Sequence, residues 1–404
     1  LIICERGNVM SQTTITLLFL LFAVVSFILE KIPLGLTATI VALGLNLTNV
    51  LTVKETFAGY VNSNVILCVG MFVVGQALFE TGMANKIGGI VNKFAKSEKI
   101  LIIAIMLIVG IMSGFLSNTG TAAVLIPVVC GIADESGYSR SRLLMPLVFA
   151  AALGGNLSII GAPGNLMGVN ALEELGLSTS FFMYAPIGIP MLICGIIYFI
   201  VIGCRLLPDK KVITEDAPEQ TKDFSNVPKW KQAMSLIVLI LVILAMISEK
   251  EALKSIDLKV VLLFGGSLAL ASALEKTGAG TLIADKIVGI MGSNPSPIVL
   301  LLVIFVVTCV LTNFMSNTAT TALMVPIAVS LAESLNADPR AVVIATVIAG
   351  SCAYATPIGM PANTMVVGVG GYKFKDYVKS GLPLILVSFV LCMILLPILY
   401  PFYP

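Results

Sequence analysis

The chain has 404 residues, 58% of them apolar and only 11% charged, with a net charge of +2 and no histidine. An ordinary soluble domain carries about 25% charged residues, and no lysine–arginine cluster here has the density of a nucleic-acid surface. The absence of histidine removes HExxH zinc chemistry, Ser–His nucleophile pairs and histidine proton relays together, so no enzyme is expected.

Residues 1–9 (LIICERGNV) resemble neither a helix nor a cleavable signal peptide. Uncharged runs then follow one another: Met10–Leu29, Ile32–Val53, Thr56–Phe79, Ile100–Ala133, Leu143–Leu172 and Leu175–Cys204. After a charged stretch come Gln232–Ser248, Val260–Leu274, Ile287–Ala332, Ala341–Tyr372 and Ser380–Pro404. Several are long enough to cross a ~30 Å hydrocarbon layer as helices. An outer-membrane barrel is excluded, because its strands alternate over ~10 residues instead of running unbroken. The expected fold is all-α and polytopic, in the cell (inner or plasma) membrane, with the lipid bilayer as its solvent. The eight cysteines show no CxxC or metal spacing and read as small apolar packing residues.

Between Gly82 and Lys99, four lysines (86, 93, 96 and 99) interleave with Ile87, Ile90, Val91 and Phe94 at helical spacing. That pattern predicts an interfacial helix on the cytoplasmic side. Ile100–Ala133 has 34 uncharged residues, or about 51 Å as one helix, which is too long for a simple span. A re-entrant hairpin is expected there, with the polar triplet Ser117-Asn118-Thr119 at its tip. Leu143–Leu172 is interrupted by Gly154-Gly155-Asn156 and Gly161-Ala162-Pro163-Gly164-Asn165, the mark of a broken helix whose freed carbonyls line a cavity.

The second half echoes the first. Ser316-Asn317-Thr318 repeats the triplet at an offset of 199, and each is followed by an apolar run ending at proline, Pro127 and Pro326. Ile160-Gly161, Pro163 and Asn165 return at an offset of 198 as Ile358-Gly359, Pro361 and Asn363. Two repeats are therefore expected. Residues 1–207 carry a hairpin near 100–133 and a broken helix near 143–172. A charged linker spans 208–231. Residues 232–404 carry a hairpin near 296–332 and a broken helix near 341–370.

Unpaired polar groups in hydrocarbon cost roughly 2–7 kcal/mol, so a duplicated polar triplet needs a reason. Ser, Asn and Thr are preferred helix caps, and a helix N-terminus offers free N–H groups and about +0.5 of charge. Two such termini near the midplane would bind a small anion without lysine or arginine. A cation site follows from the same geometry, since hard cations take oxygen ligands. Ser113 and Thr312 stand one turn before Ser117 and Ser316, and freed carbonyls near Gly161 and Gly359 would complete each shell. The ionisable residues nearest the runs, Glu80 and Glu275, sit at segment ends. This favours sodium coupling or anion exchange over a proton relay. An anion channel would also use broken helices.

The paired SNT triplets and the Gly-x-Pro-x-Asn strings downstream resemble the divalent anion/sodium symporter family, over most of the chain from about residue 34. The resemblance implies transport of a di- or tricarboxylate or an oxyanion such as sulfate. It implies a homodimer whose transport domain moves as an elevator against a scaffold domain. It places Ser117, Asn118, Thr119, Ser316, Asn317 and Thr318, with Pro163 and Pro361, at the substrate. It implies one sodium site at Ser113, Ser117, Asn118 and Gly161 and a second at Thr312, Ser316, Asn317 and Gly359, with no organic cofactor. The family has Pro-Pro-Asn where this chain has Ala162-Pro163-Gly164-Asn165 and Met360-Pro361-Ala362-Asn363. Its halves are inverted, which requires an odd number of crossings in each. With the hairpins excluded, the apolar runs here give four crossings from Ile32 and four from Gln232. A counterpart to the first run would fall in the charged linker.

Overall fold

A computed structural model describes residues 11–29, 31–61, 97–209, 258–291, 296–357 and 359–403, with short pieces at 228, 230–231, 233–234 and 237–238. The lysine-rich segment 82–96, residues 1–9, most of the 208–231 linker, most of the Gln232–Ser248 run and much of the Thr56–Phe79 run lie outside these residues. The described residues form helices and no strands.

Three helices open the chain: α1 (Gln12–Leu29), α2 (Leu34–Leu47) and the short α3 (Val53–Ala58). Next come α4 (Glu98–Ser113), α5 (Asn118–Ser136), α6 (Arg140–Gly154), α7 (Pro163–Glu174) and α8 (Ala185–Tyr198), the last continuing helically to Leu206. The rest comprises α9 (Leu258–Lys276), α10 (Ala279–Met291), α11 (Pro297–Thr312), α12 (Asn317–Ser334), α13 (Pro339–Gly350), α14 (Pro361–Val369) and α15 (Phe374–Leu399).

Each triplet begins a helix after a tight turn. Ser117 is extended and its Oγ accepts from Gly120 N at 3.0 Å, while Ser316 Oγ accepts from Ala319 N at 3.2 Å. These are N-caps, and they satisfy one orphan donor apiece. Both glycine–proline interruptions break their helices. The chain leaves α6 at Gly154 and restarts at Pro163, then leaves α13 at Gly350 and restarts at Pro361. Proline at the first helical position gives up an N–H that would have had no partner there.

Among the described residues, two helices, Ala185–Leu206 and Phe374–Leu399, are long and apolar enough to cross a bilayer unaided. The runs Ile100–Ala133, Leu143–Leu172 and Ala341–Tyr372 are each cut into shorter helices at Gly, Pro and Asn. The helix within Leu175–Cys204 starts at Ala185. Phe181 O accepts from Ile159 N at 3.1 Å, so the irregular lead-in satisfies a donor that the broken helix leaves free. α15 begins earlier than its apolar run. Asp376 accepts from Lys373 N at 2.8 Å and caps the charged first turn.

The apolar residues gather into two cores. The larger joins α4–α8 to α11–α15. The smaller joins α1, α2 and α9, and takes in Met315, Ala319 and Leu323 from the second triplet's surroundings. At the smaller core's edge, Glu55 accepts from Lys276 Nζ at 2.8 Å and from Thr52 N at 2.7 Å. That ammonium first, and then the Thr52 N–H, hold the Glu55 carboxyl down at about 2. Each core draws on both halves of the sequence.

One cross-half bond is built into a helix. Pro146 stands inside α6, and the Tyr372 hydroxyl enters the ladder beside it. Met145 N donates to Tyr372 Oη at 2.8 Å, and Tyr372 Oη donates to Ser141 O. Tyr372→Phe would leave a buried N–H and a buried carbonyl without this partner. Such a loss costs about 1–3 kcal/mol, so the melting temperature of the purified protein in detergent should fall by several degrees. An unchanged melting temperature would mean that the helix closes its own ladder at Ser141.

Candidate functional site

The turn between α4 and α5 brings Asn118 back onto Ser113. Ser113 Oγ lies 2.7 Å from Asn118 Oδ1 and 2.6 Å from the carbonyl of Ala151. The inward atom of the Asn118 amide is also 3.1 Å from Ala151 O and 3.1 Å from Gly161 O. One end of an amide, a hydroxyl and two backbone carbonyls therefore meet at one point. The second half builds the same cluster. The inward atom of Asn317 lies 2.9 Å from Thr312 Oγ1, 3.2 Å from Gly350 O and 3.1 Å from Gly359 O. Ser113 and Thr312 are fully buried, Asn118 is 9% exposed and Asn317 is half-buried.

Broken helices make the carbonyls of Gly161, Gly350 and Gly359 available, which an unbroken helix would commit to its own ladder; Ala151 O also accepts from Gly155 N at the end of α6. Each break is pinned by its downstream asparagine. Asn165 Nδ2 donates to Gly155 O at 2.7 Å and Ser158 O at 2.6 Å, and Asn363 Nδ2 donates to Ala353 O at 2.7 Å and Thr356 O at 3.0 Å. A tyrosine holds each asparagine in turn, Tyr184 Oη on Asn165 O and Tyr377 Oη on Asn363 O, both at 2.7 Å. Ser158 and Thr356 staple the breaks to the turns by donating to Gly114 O and Asn313 O.

Four helix N-termini serve this region, those of α5, α12, α7 and α14. They pair across the halves, α5 against α14 and α12 against α7. At the second pairing Gly164, next to Pro163, lies so close to Thr321 that an added Cβ would sit 2.8 Å from its Oγ1. Ser117, Thr119, Ser316, Thr318 and Pro163 are partly exposed and Pro361 is exposed. The first N–H groups of α5 and α12 have no partner inside their helices, and each terminus carries about +0.5 of charge. A cavity of about 200 Å³ opens elsewhere, between α7, α9 and α12, with Glu174, Glu275 and Glu333 on its wall. Its carboxylates would repel an anion, so the helix termini are the better anion seat.

Of the residues singled out from the sequence, Ser113, Asn118 and Gly161 meet in one cluster and Thr312, Asn317 and Gly359 in the other, and Ser117 and Ser316 cap the helices beside them. Several that matter as much were not singled out. Ala151 and Gly350 contribute only backbone oxygen, and Gly155 contributes space. An added Cβ at Gly155 would lie 2.6 Å from Asn118 Oδ1 and 3.0 Å from its Nδ2.

Among the described residues, a wholly helical fold with interrupted helices that pack across the two halves has the build of a membrane transporter. The citrate transporter family (CitMHS) matches residues 24–349 and again 224–403, so the chain belongs to that family, within the divalent anion/sodium symporters it was seen to resemble. It is 25% identical to the sodium-dependent dicarboxylate transporter SdcS of Staphylococcus saprophyticus, across 99% of this chain and 89% of that one. It is 36% identical to the uncharacterized transporter YfbS of Escherichia coli (strain K12) over 190 residues, 46% of this chain and 31% of YfbS. The chain thus spans about a third of the length of YfbS. The crystal structure of the YdaH transporter from Alcanivorax borkumensis shares the fold, with a TM-score of 0.60 and 13% identity over 95% of this chain and 97% of that one.

Gly155→Ala tests the packing under Asn118. The added methyl must push the amide off its cluster, since real Cβ atoms do not approach other atoms to 2.6 Å. The melting temperature of the purified protein should fall by several degrees, with the helical circular dichroism retained. A wild-type melting temperature in this variant would show that the amide has room to spare.

Proposed function

We propose that the chain is a secondary active transporter that moves a small divalent anion, a di- or tricarboxylate, together with sodium. The observation that carries this reading is the pair of polar clusters at Asn118 and Asn317. Each gathers an uncharged amide, a hydroxyl and two backbone carbonyls, whose oxygens suit a hard cation of low charge. Neighbouring ligands around a hard cation with contacts of ~2.3–2.6 Å lie only slightly farther apart than these oxygens do. Sodium would sit at Ser113, Ser117, Asn118 and Gly161 in one half, and at Thr312, Ser316, Asn317 and Gly359 in the other. The anion would be held by the α5 and α12 termini through Ser117, Asn118, Thr119, Ser316, Asn317 and Thr318, with Pro163 and Pro361 beside it.

Two sodium ions cancel the charge of a dicarboxylate, which lowers the cost of carrying it through a low-dielectric layer. Neutral ligands also permit release on the far side. Residues 1–207 and 232–404 are read as two repeats with re-entrant hairpins, joined by the 208–231 linker. The smaller core is read as a scaffold, the larger as a transport domain that slides against it as an elevator, and the assembly as a homodimer. SdcS, named as a sodium-dependent dicarboxylate transporter, supports the same substrate class.

Uptake of labelled succinate, citrate and sulfate into proteoliposomes tests the reading. An inward sodium gradient should raise uptake of at least one carboxylate more than tenfold over choline. Asn118→Ala and Asn317→Ala should each lower it about a hundredfold at equal reconstitution. Counterflow that ignores sodium would identify an anion exchanger, and saturable uptake of sulfate alone an oxyanion carrier. Either result would overturn the proposal.

A further inference from the structure

We infer that the cavity between α7, α9 and α12 is a seat for an amphipathic organic ammonium ion, held from both cores at once. It is separate from the anion seat at the helix N-termini and opposite to it in charge.

The cavity has a volume of about 200 Å³. An apolar cavity of about 150 Å³ already accepts a benzene ring, so a small aromatic or alkyl body fits. Its walls come from both cores. Met167 and Val325 belong to the larger and Leu274 to the smaller. All three are buried, whereas the Glu174, Glu275 and Glu333 that line the same cavity are exposed. The space is therefore apolar in its depth and acidic at its mouth.

The charge at that mouth has two independent sources. Glu174 ends α7, and Glu275 and Glu333 stand one residue before the ends of α9 and α12. Three helix C-termini thus meet here, each with about −0.5 of charge and carbonyls left over from its ladder. A carboxylate in the last turn adds to that charge where a lysine or arginine would oppose it. Neither α7 nor α12 has a basic residue in its last turn. α9 has Lys276, but its Nζ is committed to Glu55 at 2.8 Å. Among the described residues, none of the three cavity carboxylates makes an ion pair. Burial first, and then the Glu275 charge, raise the pKa of the Glu174 carboxyl.

A cation between Glu174 and Glu275 removes a repulsion that apolar filling alone would leave. The described carboxylates do not converge on a metal site, and a bare ion would leave the apolar depth unused. One molecule answers both parts of the cavity if it has an apolar body and an ammonium head. The head donates charge-assisted hydrogen bonds to carboxylates, and the body displaces water from Met167, Val325 and Leu274.

Isothermal titration of the purified full chain in dodecyl maltoside, in potassium chloride, tests the inference. Phenylpropylammonium should bind about tenfold more tightly than phenylpropanol, its uncharged analogue, as charge-assisted bonds imply. Phenylpropanoate should bind more weakly than either. Glu174→Gln and Glu275→Gln should each cost the ammonium about tenfold and leave phenylpropanol unchanged. Ala271→Phe, which fills the cavity from α9, should weaken both ligands. If that variant does not fold, the two glutamine variants, at exposed positions, decide the question. Equal affinity for ammonium and alcohol overturns the inference, as does wild-type ammonium affinity in either glutamine variant. No binding of the ammonium overturns it as well. The titration contains neither sodium nor a transported anion, so its outcome is independent of the transport reading.

Discussion

Inside each half, one asparagine amide, one hydroxyl and two backbone carbonyls are held about 3 Å apart, and the surrounding structure is arranged to keep them there. Such a cluster is unfavourable in a low-dielectric interior unless something positive or a donor sits among its members. The chain cannot relieve it by continuing its helices, because the interruptions at Gly155–Ala162 and Ser351–Met360 are themselves pinned. Asn165 and Asn363 close each break by donating to two of its carbonyls. Tyr184 and Tyr377 then fix the backbone of those asparagines from helices outside the break. The carbonyls of Ala151, Gly161, Gly350 and Gly359 are left to face the amides. Glycine is required where the pieces touch. A Cβ on Gly154 would overlap the Gly110 carbonyl of the facing helix, and one on Gly155 would overlap the Asn118 amide.

The same interruptions explain why the halves interleave. A helix that restarts at Pro163 or Pro361 has one N-terminus and an apolar flank, and both find partners in the other half. α7 packs on α12, and α14 packs on α5 and α6. Tyr372 carries this further by standing within the α6 ladder, so the second half completes hydrogen bonds that the first cannot make alone. Neither cluster is an independent module. Movement of one triplet must strain the other half's broken helix, so the two clusters are tied together mechanically. The smaller core meets this assembly through Met315, Ala319 and Leu323, residues at the second triplet and on the first turns of α12. That contact is apolar and therefore lacks directional bonds.

Much of this was legible in the residues, because duplication leaves a record. Two triplets at one spacing, two glycine–proline interruptions and two downstream asparagines locate the helix starts, the breaks and the polar centre. The helix boundaries at Asn118, Asn317, Pro163 and Pro361 follow from capping chemistry, which is local. The missed features are nonlocal or belong to the backbone. Ala151 and Gly350 act through carbonyl oxygen, and no side-chain type announces which carbonyl will be left free. Tyr372 enters a helix more than two hundred residues away, and nothing around it marks the insertion. The lead-in to α8 holds a nonlocal feature of the same kind, since only the donor at Ile159 shows what Phe181 is held for.

The choice of asparagine at 118 and 317 also has a physical logic. Aspartate would bind a cation more strongly, but it would carry a full charge into the interior and set an acceptor toward an anion. Serine offers one short hydroxyl, whose proton can serve one side only. Glutamine has the same head group, but its extra methylene would lift the amide off the Gly155 surface on which Asn118 lies. Only the short amide is neutral, flat enough for that glycine platform, and opposite in character at its two ends. A position that must look like a cation ligand from one side and an anion ligand from the other has few alternatives among the natural side chains.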